Sequence, residues 1–246
     1  METASVLSRP WWRMSLLPDA AEASCQFVVP ARRRKYSAPK TGGNSRSPSE
    51  AAARAKRQLR RYAAANRLDR MWTLTYAGEG CHDQDAMRAD VARFWRDLRA
   101  LRGGKRFAYV WVPEWHPGGH GLHVHTAVGH YMHLSVMRTA WPHGFVKGNR
   151  FTTLRHSATD LEASRAAAGY LGKYLSKTFE DGQGFGRHRY EVGQGFQPKR
   201  IVFDGGSVEE VLWTACQRMN GAPVVSWSSQ DADDWQGPPT RWFQWT

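Results

Sequence analysis

The order of elements in this sequence predicts an α+β fold, an antiparallel β-sheet with helices packed on it. Two strand-like runs, Phe107–Val112 and the alternating Leu122–Thr126, flank the turn signal Pro117-Gly118-Gly119, which makes them a hairpin. Segments beginning near Asp83 and at Asp160 carry helical spacing. The resulting order is strand, helix, hairpin, helix, strand, helix, which suits an antiparallel sheet covered by helices.

Taken from the start, residues 1–46 mix Trp11-Trp12, prolines and a basic Ser/Gly stretch and read as poorly ordered. Ser47-Pro48-Ser49-Glu50 then forms a capping box, with Ser47 as N-cap, Pro48 at N1 and Glu50 at N3. It opens a basic helix over 47–67 that bears Arg54, Lys56, Arg57, Arg60 and Arg61. Met71–Tyr76 alternates large apolar residues with threonine and reads as a strand. Asp83 or Asp85 caps the next helix, whose apolar positions 87, 91, 94, 95, 98 and 101 recur at helical spacing until Gly103-Gly104 stops it. After the hairpin come a short helix at Leu134–Trp141 and a strand at Phe145–Leu154 with a possible turn at Gly148-Asn149. Asp160–Phe179 is Ala-rich, acidic at its start and Lys-bearing at its end, and is therefore a helix. An edge strand at Lys199–Phe203 and a helix at Val208–Met219 follow. The organisation read from this is a domain over 68–205, then a C-terminal helix and irregular tail over 206–246.

Charge narrows the function classes. The 246 residues carry a formal charge of +13 and a pI near 10.1, which points to a polyanion, nucleic acid before membrane. Residues 32–70 hold 13 Lys/Arg against only Glu50 and Asp69. Cations of nearly one sign along the 47–67 helix favour phosphate contact over an ordinary solvated face. Cys25, Cys81 and Cys216 are odd in number and lack a C-x-x-C pairing, so neither a disulfide framework nor a zinc ribbon is expected. No apolar run approaches a membrane span and no signal-peptide pattern is present, so a cytoplasmic location is expected.

Leu122-His123-Val124-His125 is the chemical centre. Alternate strand residues share a face, so His123 and His125 point one way and Leu122, Val124 and Thr126 the other. Folding about 117–119 sets Glu114 opposite His123, on the same face. Two imidazoles and a carboxylate then make a one-sided divalent-metal site with room for substrate. A lone His-x-His is more often structural, and histidines at 116, 120, 130, 133 and 143 make the region His-rich. In the 160–179 helix, Tyr170 and Tyr174 lie one turn apart on one face, with Lys173 and Lys177 three residues after each. Alone, that spacing also suits the core and solvent positions of an amphipathic helix.

Together these pieces resemble the HUH endonucleases, the rolling-circle replication initiators (Rep proteins) of small plasmids and single-stranded DNA phages. Thr73-Leu74-Thr75 resembles their first motif, and Glu114 with His123-Val124-His125 their metal motif. Tyr170-Leu-Gly-Lys173-Tyr174-Leu-Ser-Lys177 is similar to the two-tyrosine motif of the phage type. Histidines precede tyrosines, the order of replication initiators rather than conjugative relaxases. The resemblance covers about residues 68–180 and implies a ferredoxin-like or RRM-like core. His116 and His120 depart from it by offering competing ligands, and no helicase domain follows.

The resemblance implies tyrosine attack on single-stranded origin DNA, a 5′-phosphotyrosine link and a free 3′-OH, with the second tyrosine rejoining strands. It implies Tyr170 and Tyr174 as nucleophiles, and Lys173 and Lys177 stabilising developing charge. Glu114, His123 and His125 would hold Mn²⁺ or Mg²⁺, the imidazoles favouring Mn²⁺. DNA contacts are expected from Arg54, Arg57, Arg60, Arg61, Thr73 and Thr75, with a host helicase and DNA polymerase as partners. Two alternatives stay open: a two-tyrosine HUH transposase, and a non-catalytic DNA-binding regulator with a structural metal site.

Overall fold

A computed structural model describes residues 9–30, 48–149, 157–180 and 189–246. Its elements begin with β1 (Trp11–Leu17), β2 (Glu22–Val28), α1 (Pro48–Ala65), β3 (Arg70–Tyr76), α2 (Gln84–Leu101), β4 (Tyr109–Trp115) and β5 (Leu122–Val128). They continue with α3 (Leu134–Ala140), β6 (Gly144–Asn149), α4 (Asp160–Glu180), β7 (Glu191–Val192), β8 (Ile201–Gly205), α5 (Val208–Met219), β9 (Val225–Ser228) and β10 (Thr240–Gln244). The fold is α+β with antiparallel sheets, as the sequence predicts.

Contacts divide the chain into two compact units, residues 1–46 with 199–246, and residues 47–198. The first unit holds the sheet β8-β1-β2-β10-β9, with α5 against its central strands. Here the structure departs from the composition-based reading of the N-terminal segment and of the C-terminal tail. Trp11–Leu17 and Glu22–Val28 pair along their whole length, through a turn in which Ala21 adopts a left-handed φ of 49°. β10 pairs with β2, so the end of the chain completes a sheet begun at its start. Partners that far apart in sequence leave no local pattern, because a strand's preference is set by its neighbours in the sheet. β8 is an edge strand, as expected, but of this sheet.

The second unit holds the sheet β6-β3-β5-β4-β7, in which every pairing is antiparallel. One face packs on α2 and α3 through Trp72, Leu74, Phe94, Trp95, Trp111 and Val124. The other packs on α1 and α4 through Leu59, Met71, Val110, Val112, Leu171 and Leu175. Full burial of each such side chain contributes roughly 1.5–3 kcal/mol. Asp83 caps α2, accepting from the amides of Asp85 and Ala86 at 2.8 and 3.2 Å. Gly103 and Gly104 follow its end at φ +70° and +76°.

α1 buries Ala55, Leu59, Tyr62 and Ala63 at helical spacing. It is tied down where the Tyr62 hydroxyl donates to the Gly193 carbonyl at 2.8 Å and Asn66 Nδ2 donates to that of Phe196 at 2.9 Å. The expected N-cap Ser47 and the strand end beyond Asn149 lie outside the described residues, as do 31–46, which carry part of the basic run. β4 begins two residues later than expected and runs on through Pro113 and Glu114. Its outer neighbour β7 pairs only with Val110 and Trp111, so Pro113 sits where that edge is open and its missing N–H is tolerated.

Candidate active site

Register brings the predicted residues into two adjacent rows on the α1/α4 face. Glu114 lies opposite His123, and His123 opposite Thr75. Val112 lies opposite His125, His125 opposite Thr73, and Thr73 opposite Lys147. Leu122 and Val124 point into the α2 core instead. The β4–β5 turn that sets this register depends on Gly121, at φ +80°. A Cβ there would fall 2.4 Å from the Cys81 carbonyl oxygen, so only glycine fits beside that strand crossing.

Glu114 and His125 are buried, at 7% and 5% exposure, and joined by a 2.8 Å contact between Oε2 and His125 Nε2. A carboxylate only accepts, so Nε2 carries the proton and the ring's Nδ1 is left to accept from the Thr73 hydroxyl at 3.2 Å. Thr73 thus orients a site histidine, where the sequence alone suggests a DNA contact. Lys177 Nζ donates to the other carboxylate oxygen, Oε1, at 2.6 Å. Burial works to raise the Glu114 carboxyl, but hydrogen bonds from His125 and Lys177 outweigh it and hold the group below its ordinary value.

Both tyrosines reach this spot from α4. The Tyr174 ring stacks on the His125 imidazole, with centroids 3.6 Å apart and planes 8° from parallel. Its hydroxyl donates to that of Tyr170 at 2.6 Å, the contact expected of an i, i+4 pair on one face. Burial, that hydrogen bond and the nearby Glu114 charge all push the Tyr174 phenol up. The Lys173 and Lys177 ammonium groups lie 5.8 and 5.5 Å from the Tyr170 and Tyr174 ring centroids.

His123 stands apart from the Glu114–His125 pair. Its ring is 4.6 Å from that of His116 and 6.2 Å from that of His120. Burial first, then the neighbouring His116 and His125, lower it to about 4, so it is neutral near pH 7. Its Nε2 is buried without a hydrogen-bond partner, which is how a ligand nitrogen awaiting a cation presents itself. Among the described residues no group of three or more His, Cys, Asp or Glu side chains is arranged as a metal centre. The donor set of one carboxylate and two imidazoles nonetheless fits Mn²⁺ or Mg²⁺ in chemical type.

Beside the tyrosines, α1 and α4 enclose an open groove of about 700 Å³. Its walls carry Lys56, Arg57, Arg60, Arg165, Lys173 and Lys177, and none of the residues lining it is acidic. Of the four arginines expected to meet DNA, Arg57 and Arg60 line it, while Arg54 and Arg61 do not. Lys56 and Arg165 are lining cations that sequence reasoning does not single out as contacts. The signal was available, since Arg165, Gly169, Gly172 and Ser176 recur at helical spacing on one stripe of α4.

Residues 69–179 match the family model for the replication-associated proteins of the ORF2 type, and this stretch is a replication-associated (Rep) segment of that family. The match runs from the start of β3 through α4 and includes every residue of the Glu114–His125–tyrosine cluster; α1 and the first unit lie outside it. No curated protein and no solved structure matches the chain. No helix among the described residues is long and apolar enough to cross a membrane.

Proposed function

We propose that this protein initiates rolling-circle DNA replication by nicking single-stranded origin DNA through a tyrosine, and rejoins strands with a second tyrosine. The observation that carries this reading is the contact of two tyrosine hydroxyls at 2.6 Å, one ring stacked on a histidine that is bound to a buried carboxylate. Such an arrangement has little use in a core and a clear one in phosphoryl transfer.

In the first step a tyrosine oxygen attacks phosphorus and the bond from phosphorus to the 3′ oxygen breaks. The products are a 5′-phosphotyrosine and a strand whose 3′ oxygen takes up a proton. The Tyr174 hydroxyl already directs its hydrogen at Tyr170, so two oxygens that must exchange roles are held within a proton's reach. Lys177 and Lys173 bring positive charge beside the phenols, favouring the phenolate and the anionic phosphate. Glu114 fixes both Lys177 and His125, and Thr73 fixes the far side of the imidazole. Glu114, His123 and His125 would hold a divalent cation, Mn²⁺ or Mg²⁺, which when bound neutralises and polarises the phosphate. The freed 3′-OH would prime a host polymerase, with a host helicase opening the duplex.

The test is the covalent product. Full-length protein, Mn²⁺ and an internally labelled single strand containing the origin should give a protein–DNA adduct that maps to the peptides of Tyr170 and Tyr174. An adduct on any other residue, or nicking without an adduct, overturns the reading.

A further inference from the structure

We propose that the groove between α1 and α4 is the track along which the phosphate backbone of one DNA strand enters the tyrosine site. The proposal rests on the nicking reading for its ligand, but it concerns residues that reading does not use. α1 (Pro48–Ala65) precedes the matched stretch 69–179, so one wall of the groove is an addition of this chain.

Three observations converge on a polyanion in extended form. The groove carries six cations and no lining carboxylate. Its floor is built of Ala53, Ala168, Gly169, Gly172 and Ser176, small groups that let a backbone approach closely. α1 and α4 are so close there that a Cβ on Gly172 would touch Lys56 Cγ at 3.7 Å. A volume of about 700 Å³ is that of a small-ligand pocket, with space for a few nucleotides of one strand and none for a duplex. No aromatic side chain lines it, so bases have nothing to stack on and the contact reads charge without sequence.

The helical geometry of α4 supplies the direction of travel. At about 100° per residue, Arg165, Gly169, Gly172 and Ser176 fall on one stripe, and Tyr170 and Tyr174 lie roughly 140–180° around the helix. Lys173 and Lys177 fall between, at about 80° and 120°. They border the groove and also stand over the tyrosine rings. Phosphates moving from Arg165 and Arg57 towards Lys177 therefore meet positive charge at every step until they reach the nucleophiles.

The test is salt-dependent binding of a fluorescent oligo-dT of about twenty nucleotides by the full chain, without divalent metal, so that no chemistry intervenes. Each lost phosphate contact lowers the slope of log K against log salt by about 0.7 for a single strand. K56Q/R57Q, both exposed on α1, should lower it by about 1.4, and R165Q on the opposite wall by about 0.7. R57K/R165K keeps the charge and should restore the wild-type slope. R93Q/R96Q makes the same charge change on α2, across the sheet, and should leave the slope unaltered. Equal losses in the α2 and α1 variants would overturn the groove, as would a duplex that competes as well as oligo-dT. Adduct formation, assayed separately with metal, judges the nicking reading; the slopes judge the groove whether or not an adduct forms.

Discussion

The two units build five-stranded antiparallel sheets of equal strand number and put them to different use. In the sheet of residues 47–198 the face under α4 carries a glutamate, two histidines and two threonines in adjacent register. In the sheet of residues 1–46 with 199–246, the strand positions under α5 are filled by Met14, Leu16, Ala23, Cys25 and Phe243, all buried and apolar. Charge divides the same way: described residues of the first unit carry 6 Lys/Arg and 8 Asp/Glu, those of the second 20 and 12. None of the ten histidines falls in the first unit. An antiparallel sheet tolerates a polar row only where something else satisfies it. Here that is α4, which brings Tyr174 onto His125 and Lys177 onto Glu114.

The largest expected effect breaks the polar row. H123A/H125A should abolish adduct formation, by about a thousandfold or more, because residues that act as a unit fail together. Binding of oligo-dT should persist, since the groove cations are untouched. The exposed Arg13–Asp204 pair of the first unit, bonded at 2.8 Å, is the control; R13Q/D204N should leave the adduct yield unchanged. Full activity in the double histidine variant would remove the site from this sheet, and loss of adduct in the control would end the division of labour between the units.

Next come the tyrosines. Y170F and Y174F should each still form one adduct, unequally, and neither should release a closed circle. Y170F/Y174F should be inert. One single variant losing all adduct while the other completes the circle would replace the pair with a single nucleophile.

The catalytic face was legible in the sequence because its signals are local or nearly so. His-x-His alternation, a turn of known length and the i, i+4 tyrosines fix the face and the register without knowledge of the rest. β3, α2, α4 and α5 were legible for the same reason. Contacts between elements were not. Lys177 on Glu114 and Thr73 on His125 depend on where α4 and β3 settle, which no spacing within either segment reveals. The first unit was least legible, since β2 finds β10 across more than two hundred residues. Its tryptophans and prolines read as irregular until that pairing is known.

A middle-sized effect separates the two hairpin turns. G121A forces a side chain into a left-handed residue already against the Cys81 backbone, so it should destabilise the second unit by about 1–3 kcal/mol. Ala21 already bears the left-handed strain at the β1–β2 turn, at φ 49°. A21G should relieve it, and its larger unfolded-state entropy should offset the gain, leaving a change under about 1 kcal/mol. Thermal melts of both variants check the contrast, and a G121A variant that melts with the wild type would show that the turn has room to shift.

The smallest effect is a pH dependence confined to one unit. His123 is lowered to about 4 in the folded chain from an ordinary 6.5, chiefly by burial. Between those values the unfolded chain binds a proton that the folded chain does not, so stability must fall as pH drops from about 6.5 and level off below about 4. Glu114 acts in the same direction in a lower window. Its folded value is held below 4.5, so its contribution is present above 4.5 and is lost as pH falls further. The first unit has no histidine; its buried Cys25 thiol, pushed up to about 12 by burial, gives the opposite sign, with stability lost as pH rises above about 9. In metal-free buffer, unfolding of the second unit should therefore shift to lower temperature between about pH 7 and pH 5 while that of the first stays fixed. H123N should reduce the shift, because asparagine does not titrate. A first unit that moves equally over that range would mean that the protons are taken up elsewhere, and an H123N variant that keeps the full shift would assign them to other histidines of the same sheet.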